Sequence, residues 1–180
     1  MFKLNARQLR TTDPNPELAK SIKKNTITII LDNVLDTYNV GSIFRLADAV
    51  AAEKVYLCGQ TLTPPNSRIK KASINTTAWV EWEYAESATS AIAKVKSQTP
   101  KVKIIAVEQD ARSRPFYQVK YEFPLAIVVG NETYGVSKEV LDMAETIVEL
   151  PMWGVNKSLN VMVTCGIVLY EIMKINQESR

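Results

Sequence analysis

The sequence contains no histidine among its 180 residues. This absence excludes imidazole metal sites, histidine general bases and the Ser-His and Cys-His pairs that activate many nucleophiles. Two nucleotide-binding signatures are also missing, because neither a GxGxxG segment nor a Walker loop ending in Gly-Lys-Ser/Thr occurs. Any chemistry must therefore come from carboxylates, amides, hydroxyls, arginine and main-chain groups. An ordinary doubly wound dehydrogenase is disfavoured, and we expect no metal site.

Cysteine and long apolar runs are also scarce. The only cysteines, Cys58 and Cys165, lie far apart in apolar stretches, which is typical of buried thiols in a reducing compartment. The most apolar segment, residues 159–170, is well short of the roughly 20 residues that cross a bilayer. Residues 1–10 lack the apolar core of a signal peptide. We therefore predict a cytoplasmic protein without a membrane segment.

Charge of one sign is not in large excess, since 22 lysines and arginines accompany 19 acidic residues and leave a net charge of +3. This balance permits an anionic partner without requiring one, because a local patch matters more than the total. The length and the 46% hydrophobic content suit one domain with a substantial core. We expect a single domain over residues 1–180. Residues 1–24 form a short basic segment with a helix that starts at Asn15-Pro16-Glu17.

Apolar runs alternate with helical patterns along the chain. Helices are predicted over residues 40–52 and 87–97 and after residue 160, and residues 59–67 are predicted to form a loop. Continuous apolar strands separated by helices indicate an α/β fold with a mostly parallel sheet flanked by helices. The predicted strands are residues 27–31, 54–58, 103–107, 125–129 and 147–150, with a short extended segment at 79–84.

The last helix carries two apolar rows. One row can pack on the sheet, and the other would be exposed in a monomer, so both a plain core helix and a dimer-contact helix fit the pattern. The first row is Val161, Cys165, Val168, Ile172 and Ile175, and the second is Met162, Leu169 and Met173.

The first motif with chemical potential is Asn-Val-Gly-Ser-Ile-Phe-Arg over residues 39–45, which follows the first predicted strand. Asn39 and Ser42 suit helix-capping positions, and Gly41 permits a close backbone approach. Arg45 lies among apolar residues on this helix. It is either a surface arginine that extends to solvent or a guanidinium directed at a phosphate over the strand ends.

The second and third motifs follow the strands at 125–129 and 147–150. Residues 130–135 read Gly-Asn-Glu-Thr-Tyr-Gly, and Glu132 is a candidate binding or acid/base group unless the segment is only a polar turn before a helix cap at Ser137. Residues 150–154 read Leu-Pro-Met-Trp-Gly. Such a loop offers main-chain groups beside apolar walls, as adenine sites do. In the following Ser-Leu-Asn, Ser158 and Asn160 are helix caps in the simplest interpretation.

Taken in this order, the three motifs closely resemble those of the SpoU (TrmH) branch of the SPOUT RNA methyltransferases. The resemblance covers roughly residues 27–174, with small departures at Val136, Met162 and Thr164. It implies an α/β domain whose C-terminal part forms a trefoil knot. It also implies S-adenosylmethionine as the cofactor and a homodimer paired through the knot. The implied reaction is methyl transfer to a ribose 2′-hydroxyl of RNA.

The resemblance further implies roles for individual residues. Arg45 corresponds to the residue placed at the ribose 2′-hydroxyl, and Asn39 and Glu132 are the other expected catalytic positions. The expected cofactor contacts are Val107, Glu108, Gly130, Asn131, Leu150, Pro151, Met152, Ser158, Leu159 and Asn160.

RNA contact is expected at exposed cations, each of which is otherwise an ordinary solvated surface charge. By analogy, the small size of the chain favours tRNA as the substrate. A ribosomal RNA 2′-O-methyltransferase and an RNA-binding module without catalysis are the alternatives. The candidate RNA-binding residues are Arg10, Arg68, Lys70, Lys71, Arg112 and Arg114.

Overall fold

The computed structural model describes residues 3–178, apart from the side chains of Pro16 and residues 175–178. Within these residues, seven strands form one sheet in which every neighbouring pair is parallel. The α/β fold with a parallel sheet flanked by helices is thereby confirmed. The strands are β1 (Asn25–Asp32), β2 (Ala52–Cys58), β3 (Trp82–Ala85), β4 (Lys103–Val107), β5 (Arg114–Pro115), β6 (Leu125–Val129) and β7 (Thr146–Glu149), in the spatial order β3-β2-β1-β6-β4-β7-β5.

Helices cover both faces of the sheet. The larger core cluster joins the sheet to α3, α4 and α7, and the smaller one joins the opposite face to α5 and α6. No helix within residues 3–178 is long and apolar enough to span a bilayer. The helices are α1 (Ala6–Thr11), α2 (Pro16–Ser21), α3 (Thr37–Ala49), α4 (Ser67–Ser73), α5 (Ala88–Gln98), α6 (Lys138–Met143) and α7 (Val161–Glu178), with 3₁₀ turns at Thr76–Ala78 and Phe116–Gln118.

Strand β1 is central because its residues are apolar on both faces. Ile29 points into the larger core cluster and Ile30 into the smaller one, and both are fully buried. Alternate side chains of a strand face opposite sides of the sheet, so only a continuous apolar run can occupy this position. Burial of each isoleucine contributes roughly 1.5–3 kcal/mol.

The strand register brings the motif-bearing strand ends together. Val129 of β6 pairs with Leu31 of β1 on one side and with Val107 of β4 on the other. Val107 pairs in turn with Val148 of β7. Because the pairing is parallel, the polar segments that follow these strands emerge at the same edge of the sheet.

The first motif lies inside helix α3 and does not precede it. The helix begins at Thr37, and the Asp36 side chain caps it by accepting the Tyr38 N–H at 2.7 Å. The prediction that Asn39 and Ser42 are caps is therefore wrong. Asp36 is the N-cap instead, because an aspartate just before the first turn accepts an N–H that would otherwise lack an acceptor.

The connection between β2 and β3 also differs from the prediction. Residues 67–73 form helix α4, capped by Asn66, whose side chain accepts the N–H groups of Arg68 and Ile69. Residues 79–84 are extended only from Trp82 onward, because Trp79 closes a 3₁₀ turn. Trp79 is also buried. The alternating pattern over residues 79–84 therefore predicted an extended segment that begins earlier than the observed strand.

The exposed apolar row of α7 is not the predicted one. Leu169 is fully buried, and Met162 and Met173 pack against the core. The first row is buried as expected at Cys165, Val168 and Ile172, while the side chain of Ile175 lies outside the described residues. The α7 row left exposed is Val163, Ile167 and Tyr170.

Candidate functional site

A pocket of about 450 Å³ lies at the edge of the sheet where β4, β6 and β7 end. Residues 156–161 close one side, and the segments after β4 and β6 form the floor. Apart from Pro151, all predicted cofactor-contact residues line this pocket: Val107, Glu108, Gly130, Asn131, Leu150, Met152, Ser158, Leu159 and Asn160.

The pocket lining carries more negative than positive charge. Its described ionisable residues are Glu108, Glu132, Glu149 and Lys157, which give three carboxylates against one ammonium group. The arrangement favours a ligand that carries positive charge. Glu149 and Lys157 were not predicted, because neither belongs to a recognisable motif.

The turn over residues 130–136 folds tightly on itself. Asn131 and Gly135 exchange main-chain hydrogen bonds at 2.9 and 3.0 Å. A Cβ on Gly130 would lie 2.2 Å from the carbonyl carbon of Gly135, which itself has a φ of +70°. A Cβ on Gly135 would lie 2.1 Å from an oxygen of Glu108. Both glycines are therefore needed for closure of the turn.

Two carboxylates hold this turn in place by accepting its main-chain N–H groups. One oxygen of Glu108 accepts the Val136 N–H at 2.8 Å, and the other accepts the Gln109 N–H at 2.8 Å. Asp32, only 2% exposed, accepts the Ser137 N–H at 2.8 Å. Ser137 stands at the predicted N-cap of α6, but its side chain makes no capping bond. Asp32 and Glu108 thus fix the position of the turn that forms the pocket floor.

A chain of hydrogen bonds connects the three motifs. Asn39 donates from Nδ2 to Glu132 Oε1 at 2.9 Å, and its Oδ1 accepts from Asn160 Nδ2 at 3.0 Å. Asn160 also accepts the Met162 N–H and so caps α7. Residues separated by 93 and 121 positions in the sequence thus become direct partners.

The Glu132 carboxylate is strongly engaged at the start of α3. It accepts the N–H groups of Leu35 and Asp36, each at 3.0 Å, in addition to the amide of Asn39. Partial burial disfavours ionisation of Glu132, but these hydrogen bonds outweigh it and hold the pKa below its usual value. Both oxygens are occupied by donors, so the carboxylate fixes the first turn of α3 in place.

Arg45 is exposed on α3 and does not line the pocket. It follows Gly41 by about one helical turn, so it leaves the helix near the side where Gly41 packs against α4. Its guanidinium makes no hydrogen bond or ion pair with residues 3–178, the undescribed side chains of Pro16 and residues 175–178 set aside. The side chain is therefore available to a ligand that approaches over the outer face of α3.

A sequence model described as the SpoU rRNA Methylase family matches residues 26–170. The chain belongs to the SpoU rRNA methylase family. The resemblance inferred from the motif order is confirmed, and the match spans every element that builds the pocket.

Relatives within the SpoU family agree with this assignment. A tRNA (guanosine(18)-2′-O)-methyltransferase of Aquifex aeolicus is 31% identical over 160 residues, which are 87% of this chain and 72% of the relative. The crystal structure of an A. aeolicus TrmH/SpoU tRNA modifying enzyme has a TM-score of 0.78 at 28% identity, covering 97% and 83% of the two chains. An AdoMet-bound rRNA methyltransferase from Sinorhizobium meliloti has a TM-score of 0.77 at 26% identity, with 93% and 60% covered.

The predicted RNA-binding residues of this SpoU-family chain fall into two groups. Arg112 donates to Asp110 and Asp142 at 2.8 and 2.9 Å, and Arg114 donates to the Gln118 carbonyl at 3.1 Å. The other group is exposed and forms no ion pair with any residue between 3 and 178 whose side chain is described: Arg10, Arg68, Lys70 and Lys71. This second group is the better placed to contact phosphates.

The two cysteines of this SpoU-family chain are buried free thiols, as predicted. Burial raises the pKa of Cys58 to about 12, with a further contribution from Asp32. Burial alone raises the pKa of Cys165 to about 12. Neither thiol is ionised near neutral pH, so neither is a nucleophile there.

Proposed function

We propose that this chain is an S-adenosylmethionine-dependent RNA methyltransferase that acts on a ribose 2′-hydroxyl. The observation that carries the proposal is that Asn39 joins Glu132 and Asn160 by hydrogen bonds, and that these two residues line one pocket of cofactor size. Pockets for small ligands occupy roughly 300–1,000 Å³, and this one lies within that range. The family membership of the chain supports the same reaction class.

The residues that line the pocket fit a cationic nucleoside cofactor. The surplus of carboxylates suits a sulfonium group, and the apolar side chains of Val107, Leu150 and Met152 offer walls for a purine. Among the described residues, no main-chain or side-chain acceptor binds the N–H group of Met152, which lines the pocket, so this group is free to bind a ligand. S-adenosylmethionine, when bound, would supply an activated methyl group.

Positioning is the main contribution expected from the protein, since alignment of reacting groups lowers a barrier by ~7–11 kcal/mol. Arg45 is the candidate that orients the ribose or an adjacent phosphate and stabilises negative charge on the 2′-oxygen. A guanidinium carries only donors and has no acceptor site for the proton of the hydroxyl, so orientation is the role we assign. Glu132 and Asn39 act as positioning residues, because their polar atoms are used to hold α3 against α7.

Transfer RNA is the substrate class that we favour. The Aquifex relative is named for a tRNA nucleotide, and the unpaired cations on α1 and α4 suit a phosphate backbone. Ribosomal RNA is the second candidate, because the Sinorhizobium neighbour is an rRNA methyltransferase. Mass-spectrometric mapping of 2′-O-methylated nucleosides in RNA from cells lacking the protein would distinguish them.

We further propose a cytoplasmic homodimer with a knotted C-terminal region. The exposed apolar row Val163, Ile167 and Tyr170 on α7 supports a dimer contact, as do Trp153 and Val155 on the neighbouring loop. The knotted region is proposed from the membership of the chain in the SpoU family.

The proposed function is tested by pairing cofactor titration with methyl transfer. Calorimetric titration of S-adenosylmethionine should show binding to both wild type and Arg45→Ala, because Arg45 lies outside the pocket lining. Transfer of labelled methyl to bulk tRNA should be lost only in Arg45→Ala. Equal loss of both properties would contradict this division of roles. Cofactor binding without transfer by wild type to tRNA or ribosomal RNA would favour an RNA-binding module.

A further inference from the structure

A second groove lies apart from the cofactor pocket, between α4 and the edge strand β3. Its volume is about 410 Å³, and it is lined by Pro64, Pro65, Lys70, Asn75 and Trp82, among others. We call it the Trp82 groove. Its walls are mainly apolar rings, and its polar groups are one ammonium and a few amides and hydroxyls.

The Trp82 groove contains no carboxylate. Trp82 is flanked by Glu81 and Glu83, but both acids bind the Lys54 ammonium, at 3.1 and 3.6 Å. The side chains of Lys54 and Glu83 lie on the face of the sheet opposite to Trp82, because strand side chains alternate between the two faces. Lys70 forms no ion pair with any residue whose side chain is described, so the groove presents a positive charge beside an aromatic wall.

The bottom of the groove is a strained connection after α4. Ile74 and Asn75 both have left-handed backbones, with φ of 51° and 67°. This conformation is rare for a β-branched residue such as Ile74. Asn75 donates from Nδ2 to the Leu9 carbonyl at 3.0 Å, and its Oδ1 accepts no bond from any residue in the described range. One acceptor therefore remains available to a ligand.

The groove lies on the flank of the molecule where Arg45 emerges. Helix α4 packs so closely on α3 that a Cβ on Gly41 would be 2.6 Å from the Cβ of Ala72. Arg45 follows Gly41 by about one turn of α3, and Arg68 and Lys71 are exposed on α4. The two contacting helices therefore both carry exposed cations, and Lys70 of α4 lines the groove.

We propose that the Trp82 groove binds an unpaired nucleotide of the substrate RNA at a second position, remote from the methylated ribose. Its base stacks on the indole of Trp82, Asn75 Oδ1 accepts from a base N–H group, and Lys70 contacts the phosphate. Indole faces stack on all bases, and an ammonium without a competing acid attracts phosphate. The proposal rests on RNA being the substrate, and it assigns where that RNA continues beyond the site of transfer.

The test compares Trp82→Ala and Trp82→Phe for binding of a short oligouridylate to the full chain. Loss of one stacked base weakens binding roughly 5- to 150-fold, so Trp82→Ala should show a loss in that range. Trp82→Phe should remain close to wild type, since it keeps an aromatic face. Tyr84→Ala is the matched control, because Tyr84 is exposed on the same strand but does not line the groove.

Lys70→Ala provides a variant that does not disturb the core, because Lys70 is exposed. It should reduce the slope of log affinity against log salt by about 0.7, the value for one single-strand phosphate contact. Lys120→Ala, which removes another highly exposed lysine, should leave the slope unchanged. Equal slopes for both variants would overturn the proposal.

The failure of this proposal is distinguishable from failure of the proposed function. If wild type methylates tRNA while Trp82→Ala and Lys70→Ala bind oligouridylate and tRNA like wild type, only the groove assignment is wrong. If wild type transfers no methyl to any RNA, the proposed function fails. A change in sedimentation of Trp82→Ala with unchanged RNA affinity would identify the groove as a contact between copies of the chain and overturn the proposal.

Discussion

The substitution Glu132→Gln tests whether this carboxylate positions helix α3 or acts on the substrate. In the wild type, Oε2 accepts the Leu35 N–H, while Oε1 accepts the Asp36 N–H and the Asn39 amide. Glutamine retains one of these acceptor oxygens and places an NH₂ group where the other was. At least one hydrogen bond is lost, and two donors then face each other.

The expected cost follows from the hydrogen bonds removed. Bonds to a charged acceptor contribute about 1.5–3 kcal/mol, and the exposure of Glu132 favours the lower limit. We expect the free energy of unfolding to fall by about 1.5 kcal/mol, which lowers Tm by about 3–6 °C for a chain of this size. Thermal and urea unfolding measure this change, with Glu122→Gln, on an exposed loop, as the matched control.

The dependence on pH has a defined sign. The pKa of Glu132 is lowered by folding, so its contribution is fully present above the ordinary value of 4.5 and is lost as pH falls through the folded-state pKa. The stability difference between wild type and Glu132→Gln should therefore be largest near neutral pH and shrink below about pH 4.5. A difference that stays constant across this range would contradict the charge-based explanation.

A double-mutant cycle separates positioning from direct action. If Glu132 acts through Asn39, then methyl transfer by Asn39→Ala/Glu132→Gln should be little worse than by the more damaging single variant. Cofactor affinity should stay close to wild type in Asn39→Ala and should fall to a similar, modest extent in the two proteins that lack the Glu132 carboxylate, because that group lines the pocket. The positioning role would be refuted if the kcat losses of the two single variants multiply in the double variant while the Tm of Glu132→Gln is unchanged. That result would indicate direct contact of Glu132 with the RNA.

Three further predictions follow from other parts of the molecule. Gly135→Ala should weaken S-adenosylmethionine binding and lower Tm, because its Cβ would lie 2.1 Å from Glu108 in a left-handed backbone. Gly154→Ala is the control, because no atom lies within 4 Å of its Cβ, and calorimetry should show unchanged binding and an unchanged Tm. Ile167→Asp should convert a dimer to monomer in sedimentation, because the 37% exposed Ile167 lies in the apolar row of α7, while an unchanged dimer would exclude that row from the contact. Cys58 and Cys165 should resist alkylation in the native protein at neutral and mildly alkaline pH, because burial raises the pKa of both thiols, and rapid labelling at neutral pH would contradict their burial.

The sheet was predictable because its central strands are unbroken apolar runs. Their limits were less predictable, since β1 begins at the polar Asn25, whose buried amide donates to the Val50 carbonyl at 2.7 Å. Helix α4 was missed because its surface is basic and only Ile69 and Ser73 are buried. Asn66 as an N-cap was the local signal available in the sequence.

The pocket residues were predictable from the order of the motifs, but their partners were not. The bond from Asn39 to Glu132 exists because β6 inserts beside β1, and the bond to Asn160 exists because α7 packs on α3. Neither arrangement is encoded in a local pattern. The supporting roles of Asp32 and Glu108 likewise depend on which N–H groups the turn presents after folding.

The most direct measurement is nucleoside mass spectrometry of RNA incubated with the purified protein and methyl-labelled S-adenosylmethionine. We expect label in nucleosides methylated on the ribose 2′-oxygen, with wild type active and Arg45→Ala inactive. Label confined to the bases, or equal ribose labelling by wild type and Arg45→Ala, would contradict it.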